Sequence, residues 1–272
     1  MSIKEQLLSN KPKDLMFQMS VPAVIGMVVI GLYPLMDGIF AGNIIGERAM
    51  SAISIASPLT LLNNGVATLI GIGSASILSR AMGKNDQNTV DKIMGNLIAW
   101  ITIFSIAITV FVLVFAETFL KIVGATPEIA EMGLRYLKVT ILGSLFVNFT
   151  QSANMVMRGE GLMKKAMIIM GLGAAINIIL DPILMTVMGE KAIEGAALAT
   201  VSAQILQAIA TIYYFIKKSP RVRIHRIKTE KSISKEMFSV GSSAMLMQLL
   251  FMLQQTMLYK MAFKYGGESN GI

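Results

Sequence analysis

Residues 15–40 read LMFQMSVPAVIGMVVIGLYPLMDGIF, an apolar run in which Asp37 is the only charged side chain. About 20 mostly apolar residues are enough for a helix to cross the hydrocarbon core of a bilayer. A secretory signal peptide has a shorter apolar core, of about 7–15 residues, followed by a small-residue cleavage site. This run is longer, contains an acid and lacks such a site. It therefore predicts a first transmembrane helix that is retained.

Six further apolar segments follow, each bounded by charged or turn-forming residues: 51–79, 93–115, 134–157, 166–188, 195–216 and 237–263. The composition agrees with this pattern, because 54% of the 272 residues are hydrophobic and only 15% are charged. Soluble domains carry about 25% charged residues. The sequence predicts an all-α polytopic membrane protein with seven transmembrane helices.

The net charge of +8 has an uneven distribution along the chain. With the N-terminus in the cytoplasm, 17 of the 24 Lys and Arg residues fall on the cytoplasmic side, eight of them between Lys217 and Lys235. Because basic residues concentrate in cytoplasmic loops, we expect this orientation in the cell membrane. We interpret the Lys217–Lys235 loop as an anchor for anionic lipid headgroups, and no nucleic-acid partner is expected because no aromatic residues or binding motif accompany its charges.

The reactive side chains exclude most enzyme classes. The chain has no Cys and a single His, His225, which lies in a loop. Thiol catalysis and the paired-His metal signatures are therefore excluded. Two Gly-x-Gly fragments, at 71–73 and 171–173, lie inside apolar segments, where small residues more often permit close helix packing. We expect no enzyme activity, no catalytic residues and no cofactor.

Two carboxylates lie inside the predicted spans. Asp37 is near the outer end of the first span, and Asp181 is in the outer half of segment 166–188. An acid at membrane depth costs roughly 2.5–3.5 kcal/mol on insertion scales, so it is a candidate for function. Asn177 lies one turn deeper than Asp181 on the same helix face. The two acids occupy similar depths and can share a cavity, although Asp37 is also close enough to the interface to extend into water.

Polar side chains recur at helical spacing on three other segments. Those that we assign to a cavity lining are Asn64, Thr68, Asn148, Gln151, Gln204 and Gln207. Such a stripe points into the helix bundle, where it either bonds to a neighbouring helix or lines a wet cavity. Each stripe alone fits both interpretations equally well. Several stripes together with two acids favour the cavity.

Several motifs, in their order between the predicted spans, resemble the N-terminal half of the multidrug and toxic compound extrusion (MATE) family: Pro34-Leu35-Met36-Asp37, 79–86 (SRAMGKND), 157–161 (MRGEG), Asn177 to Pro182, and 195–200 (GAALAT). The resemblance implies a cytoplasmic N-terminus at 1–14 and a six-helix N-terminal lobe at 15–216. It further implies a basic inter-lobe loop at 217–236 and the first span of an incomplete second lobe at 237–272.

The resemblance also implies a function and a site. The function is an antiporter that exports drugs or other small, often cationic organic compounds in exchange for H⁺ or Na⁺. Asp37, Asn177 and Asp181 would form the ion-coupling site, to which the family adds Thr200. Sodium bound there would be the only metal.

Members of this family have two six-helix lobes, so the resemblance implies that the chain is a truncated form. It would need a second lobe or a second copy to form a complete transporter. One alternative is a lipid-linked oligosaccharide flippase of the same superfamily, but no Lys or Arg lies deep in the first six spans to grip a pyrophosphate. Another alternative is a membrane scaffold fragment that does not transport.

Overall fold

The computed structural model describes residues 12–266, which form helices and short connections without any strand. Eight α-helices occur in this range: α1 (Pro12–Ile44), α2 (Glu47–Gly83), α3 (Gln87–Val123), α4 (Pro127–Leu142), α5 (Ser144–Gly159), α6 (Met163–Met188), α7 (Ala192–Tyr213) and α8 (Lys231–Gly266). A 3₁₀ turn at Gly189–Lys191 links α6 to α7, and a π-helical turn at Tyr214–Lys218 extends α7. The all-α prediction is confirmed, while the predictions for residues 1–11 and 267–272 lie outside the described residues.

The helix ends follow from local chemistry. The Asp86 side chain caps α3 by accepting a hydrogen bond from the Thr89 backbone N–H at 3.1 Å. The same helix stops at Gly124, whose φ of 102° lies in the left-handed region. Pro127 then begins α4, where its missing N–H has no helical partner to lose. The connections between the long helices are consequently short.

The predicted segment 134–157 is interrupted at Gly143, which separates α4 from α5. The Gly143 N–H donates to the Thr140 carbonyl at 3.1 Å, a tighter bond than the α-helical pattern. A Cβ at this position would lie 2.7 Å from the Val201 side chain of α7. The glycine at the break therefore lets α7 approach the backbone closely. The apolar pattern of the sequence did not indicate the break.

The predicted basic loop at 217–236 is shorter in the structure. Its non-helical part covers only residues 219–230, because α8 already begins at Lys231. The apolar pattern placed this start at 237 because the first turns of α8 are polar. They are nevertheless helical since Ile233 and Met237 are buried against the preceding helices.

The described interior consists of two apolar cores separated by polar contacts. One core includes Leu78, Ile93 and Phe215, and the other includes Ile55 and Leu120. Between them, buried amides and hydroxyls bond from helix to helix. In a bilayer such groups must find partners inside the protein, because lipid offers none.

The outer surface of α3 is strongly apolar. Ile103, Ile106, Val110 and Val114 lie at helical spacing and are each more than half exposed. By length and composition, four helical stretches in the described range can cross a membrane: Glu47–Gly83, Gln87–Val123, Met163–Lys218 and Lys231–Ala262. An exposed apolar face of this extent is suited to lipid.

Helix α8 packs against α2 with the two backbones almost in contact. A Cβ on Gly241 would overlap the Leu69 carbonyl oxygen, and one on Gly73 would overlap the carbonyl oxygen of Met237. Glycine at both positions permits this approach. The start of α8 is therefore fixed to the first helices of the chain.

Candidate functional site

Four helices bring polar groups together in one half of the bundle. Asp37 on α1 and Asp181 on α6 are 3% and 0% exposed, so neither carboxylate reaches solvent. The alternative in which Asp37 extends into water is therefore wrong. The two carboxyl groups lie within hydrogen-bonding reach of each other. The sequence prediction that these acids share one site agrees with this geometry.

The two acids lack sufficient hydrogen-bond donors. Asp37 Oδ1 and Asp181 Oδ2 are buried and accept no hydrogen bond from any donor among the described residues. Ionised carboxylates only accept hydrogen bonds, so a contact between two of them is repulsive. Such a pair is stable when one member holds a proton or when a cation lies between them.

Asn177 and Thr200 complete the arrangement. The Asn177 amide donates to Asp181 Oδ1 at 3.0 Å and to the Thr200 hydroxyl on α7 at 3.4 Å. The Asn177 carbonyl oxygen is buried without a described donor. The four predicted residues therefore present carboxylate, amide and hydroxyl oxygens, the ligand type that hard cations prefer. No group of three or more His, Cys, Asp or Glu able to hold a metal occurs among residues 12–266.

Tyr136 on α4 also belongs to this group, and sequence reasoning missed it. Its buried hydroxyl donates to Asp37 Oδ2 at 3.0 Å. The polar stripe of the predicted fourth span was read from Ser144 onward. Continuing it backward by steps of four residues reaches Thr140 and then Tyr136, so the signal was present in the sequence.

A cavity of about 180 Å³ adjoins the pair, with Asp37 in its wall. Its other polar lining residues are Ser57, Thr60, Asn64, Tyr136, Thr140, Gln151, Thr200 and Gln204. Three of the six predicted lining residues, Asn64, Gln151 and Gln204, are thus in place. The Gln204 side-chain oxygen is buried and has no described donor. The wall contains no Lys or Arg.

The other three predicted lining residues form hydrogen bonds elsewhere, two of them to other helices and Thr68 within α2. Asn148 is fully buried and donates to Asn63 at 2.9 Å and to Ser105 at 3.0 Å. Gln207 donates to the Ile169 carbonyl at 3.0 Å, and Thr68 to the carbonyl of Asn64 at 2.8 Å. None of the three belongs to the wall of this cavity, so their assignment to it is wrong, and the Asn148 side-chain oxygen has no donor among the described residues.

A protein-family model described as MatE matches residues 22–183, more than half of the chain. The chain belongs to the MATE family. The matched range includes Asp37, Tyr136, Asn177 and Asp181. MATE proteins are multi-pass membrane transporters rather than enzymes.

Among curated proteins, the multidrug export protein MepA of Staphylococcus aureus (strain NCTC 8325 / PS 47) is 30% identical over 238 residues. This match covers 86% of the chain and 52% of MepA. The chain thus spans about half the length of the curated relatives that it matches.

Two solved structures of a multidrug resistance MATE transporter are similar in fold. The inward-facing conformation has a TM-score of 0.86 at 28% identity, covering 94% of this chain and 58% of that one. The outward-facing conformation also has a TM-score of 0.86, at 29% identity, with coverages of 98% and 60%.

Proposed function

We propose that the chain acts in the export of drugs or other small, often cationic organic compounds across the cell membrane in exchange for H⁺ or Na⁺. The N-terminus lies in the cytoplasm in this proposal. The chain supplies the ion-coupling site. Because it spans about half the length of its relatives, a second lobe or a second copy would complete the path of the organic substrate.

The observation that carries the proposal is the buried contact between Asp37 and Asp181. At ~4 Å and an effective dielectric constant of ~20, two unit charges repel by about 4 kcal/mol. This energy is removed when a proton or a sodium ion binds between them. Tyr136 and Asn177 hold the two carboxyl groups in position, so the site is organised before the cation arrives.

Cation binding at this place would act on helix packing. Asp37 belongs to α1 and Asp181 to α6, and the two helices are in contact. A bound cation draws the carboxylates together, while its release leaves two repelling charges between the helices. A ligand shifts a conformational equilibrium only through its differential affinity for the two states. Coupling would follow if the organic substrate favours the arrangement without the cation.

The size and charge of the cavity support the proposal that this chain binds the coupling cation, while the organic substrate needs a second lobe or a second copy. Drug-sized ligands occupy pockets of about 300–1,000 Å³, whereas this cavity measures about 180 Å³. It suits a cation with a few water molecules. The absence of Lys and Arg from its wall disfavours the flippase alternative, since a pyrophosphate group requires cationic partners.

Cation binding by the purified chain tests the proposal directly. We expect saturable Na⁺ binding, or the uptake of one proton per chain, and we expect Asp181→Asn to abolish it. Asp91→Asn, which removes a carboxylate outside the spans, serves as the matched control. Ethidium efflux from cells that express the protein tests export. Cation binding that is unaffected by Asp181→Asn would contradict the assignment of the site.

A further inference from the structure

The loop at 219–230 lies outside the proposed coupling site and carries exposed cations on a fixed backbone. Its first residues are held by Glu160, which is 2% exposed at the turn between α5 and α6. The Glu160 carboxylate accepts the Ser219 hydroxyl at 3.3 Å and lies beside the backbone N–H groups of Arg221 and Val222, and the Val222 N–H donates to the Ser219 hydroxyl oxygen at 3.2 Å. Val222 is fully buried. The loop is therefore anchored to the bundle where it begins.

The far end of the loop is anchored as well. Ser234, in the first turn of α8, donates to Asn96 at 3.1 Å and accepts the Trp100 indole N–H at 2.8 Å. Between the two anchors the backbone lies directly on α3, because a Cβ on Gly95 would overlap the Arg226 carbonyl oxygen. Gly95 is the third residue of the apolar segment 93–115. Arg226 therefore lies level with the start of the membrane-spanning part of α3.

Cationic side chains surround a pocket at this level. The pocket measures about 340 Å³ and is lined by Asn88, Asp91, Lys92, His225, Arg226, Lys228 and Glu230. Its three permanent cations form no ion pair within 4.0 Å in the part of the chain that the structure describes. Of the two carboxylates, Asp91 accepts a hydrogen bond from Gln87 at 2.7 Å and lies 3.6 Å from His225.

An exposed apolar side chain separates two of these cations along the chain. Ile227 is 63% exposed and stands between Arg226 and Lys228 in the sequence. A soluble anion gains nothing from such a neighbour. A phospholipid does, because its phosphate meets guanidinium and ammonium groups while its acyl chain covers the apolar side chain.

We propose that this pocket, formed by the first turns of α3 and residues 225–228, binds the phosphate of an anionic phospholipid. Arg226, Lys228 and Lys92 contact the phosphate oxygens, and Ile227 contacts the acyl chain. The fixed backbone makes this a specific site, unlike a flexible basic tail. Helix α8 begins three residues after Lys228, so a bound lipid would stabilise the junction between the loop and that helix.

The test uses the full chain in neutral detergent, with native mass spectrometry to measure binding of phosphatidylglycerol against phosphatidylcholine. Each cation near a membrane surface contributes about fivefold to affinity. We expect Arg226→Gln/Lys228→Gln to weaken phosphatidylglycerol binding about 25-fold. The matched control, Lys138→Gln/Lys191→Gln, also removes two charges and should leave binding unchanged. An equal loss in both double variants would overturn the proposal, because it would show general charge attraction.

Two further arms separate the lipid from other anions and from misfolding. Ile227→Ser should weaken phosphatidylglycerol binding. In a competition experiment, 10 mM inorganic phosphate should not displace the lipid. Displacement by phosphate would overturn the lipid assignment. Arg226→Lys/Lys228→Arg keeps both positive charges, so this double variant should bind phosphatidylglycerol about as tightly as the wild-type chain. Emission from Trp100, the single tryptophan, reports whether the anchored loop is intact in each variant. Lost binding in the charge-keeping variant with unchanged emission would also contradict the proposal.

Discussion

Two buried carboxylate sites in this molecule have opposite surroundings. Asp37 and Asp181 contact each other and retain oxygens that no described donor reaches. Glu160 is equally buried, but its carboxylate accepts the Ser219 hydroxyl and faces two backbone N–H groups of the adjacent loop. A buried acid with unfilled acceptor capacity favours binding of a proton or a cation, whereas one surrounded by donors fixes the backbone that supplies them.

The difference separates acids that function by changing charge from an acid that holds structure. Burial alone does not distinguish them, since all three side chains are 3% exposed or less. The number and direction of the donors do. Substitutions at the two sites should therefore affect different properties.

The largest expected effect is that of Asp181→Asn on cation binding. The asparagine amide donates to Asp37, so the pair no longer needs a proton or a cation. We expect affinity for the coupling cation to fall more than 100-fold, with helix content unchanged, as measured by isothermal titration calorimetry and circular dichroism. Glu160→Gln is the matched control, because it also converts a buried acid to its amide. An equal loss in Glu160→Gln would remove the distinction between the two sites.

Glu160→Ala should act on stability instead. It leaves the Ser219 hydroxyl without its acceptor and removes the carboxylate beside the Arg221 N–H, at a cost of about 1–3 kcal/mol. We expect earlier thermal unfolding and altered Trp100 emission, since the loop leads to the contact between Ser234 and that indole. Cation affinity should remain within about twofold, roughly 0.4 kcal/mol by the usual conversion. A large loss of cation binding would show that the two sites are coupled.

Tyr136→Phe should have a smaller effect that is confined to the coupling site. The hydroxyl donates to Asp37 and stabilises that carboxylate when no cation is present. Its removal should raise cation affinity by about tenfold, the equivalent of one hydrogen bond to a charged group. Titration calorimetry measures this change. The control is Tyr259→Phe, which removes a tyrosine hydroxyl that lies 3.5 Å from the Ser57 hydroxyl. An unchanged affinity would mean that Tyr136 only packs.

The sequence predicted one of these sites and missed the other for a physical reason. Asp37 and Asp181 were identifiable because an acid inside an apolar segment is costly wherever its partners are. Glu160 lies in a charged turn, where an acid is ordinary. Its burial arises only when a loop 59 residues away docks on it. The contacts of Asn148 and Gln207 were equally inaccessible, because a stripe shows which side of a helix faces inward but not which partner it meets.

The smallest expected effect is a pH dependence of stability due to Glu160. Burial raises the pKa of this carboxyl above its usual 4.5, opposed by hydrogen bonds from Ser219, Val222 and Arg221 and by the charge of Lys165. Between pH 4.5 and the raised value, the folded protein holds more protons than the unfolded chain, so stability falls as the pH rises. The slope is at most about 1.4 kcal/mol per pH unit.

Thermal unfolding of wild type and Glu160→Gln from pH 4 to pH 8 checks this sign. Because the glutamine does not titrate, the stability of wild type relative to the variant should fall through the interval and then level off. Ser219→Ala removes a hydrogen bond that lowers the pKa, so it should extend the interval to higher pH. A wild-type advantage that grows with pH would show that the ionised carboxylate is stabilised where it lies. Donors would then outweigh burial at Glu160, and its contrast with Asp37 and Asp181 would be wider still.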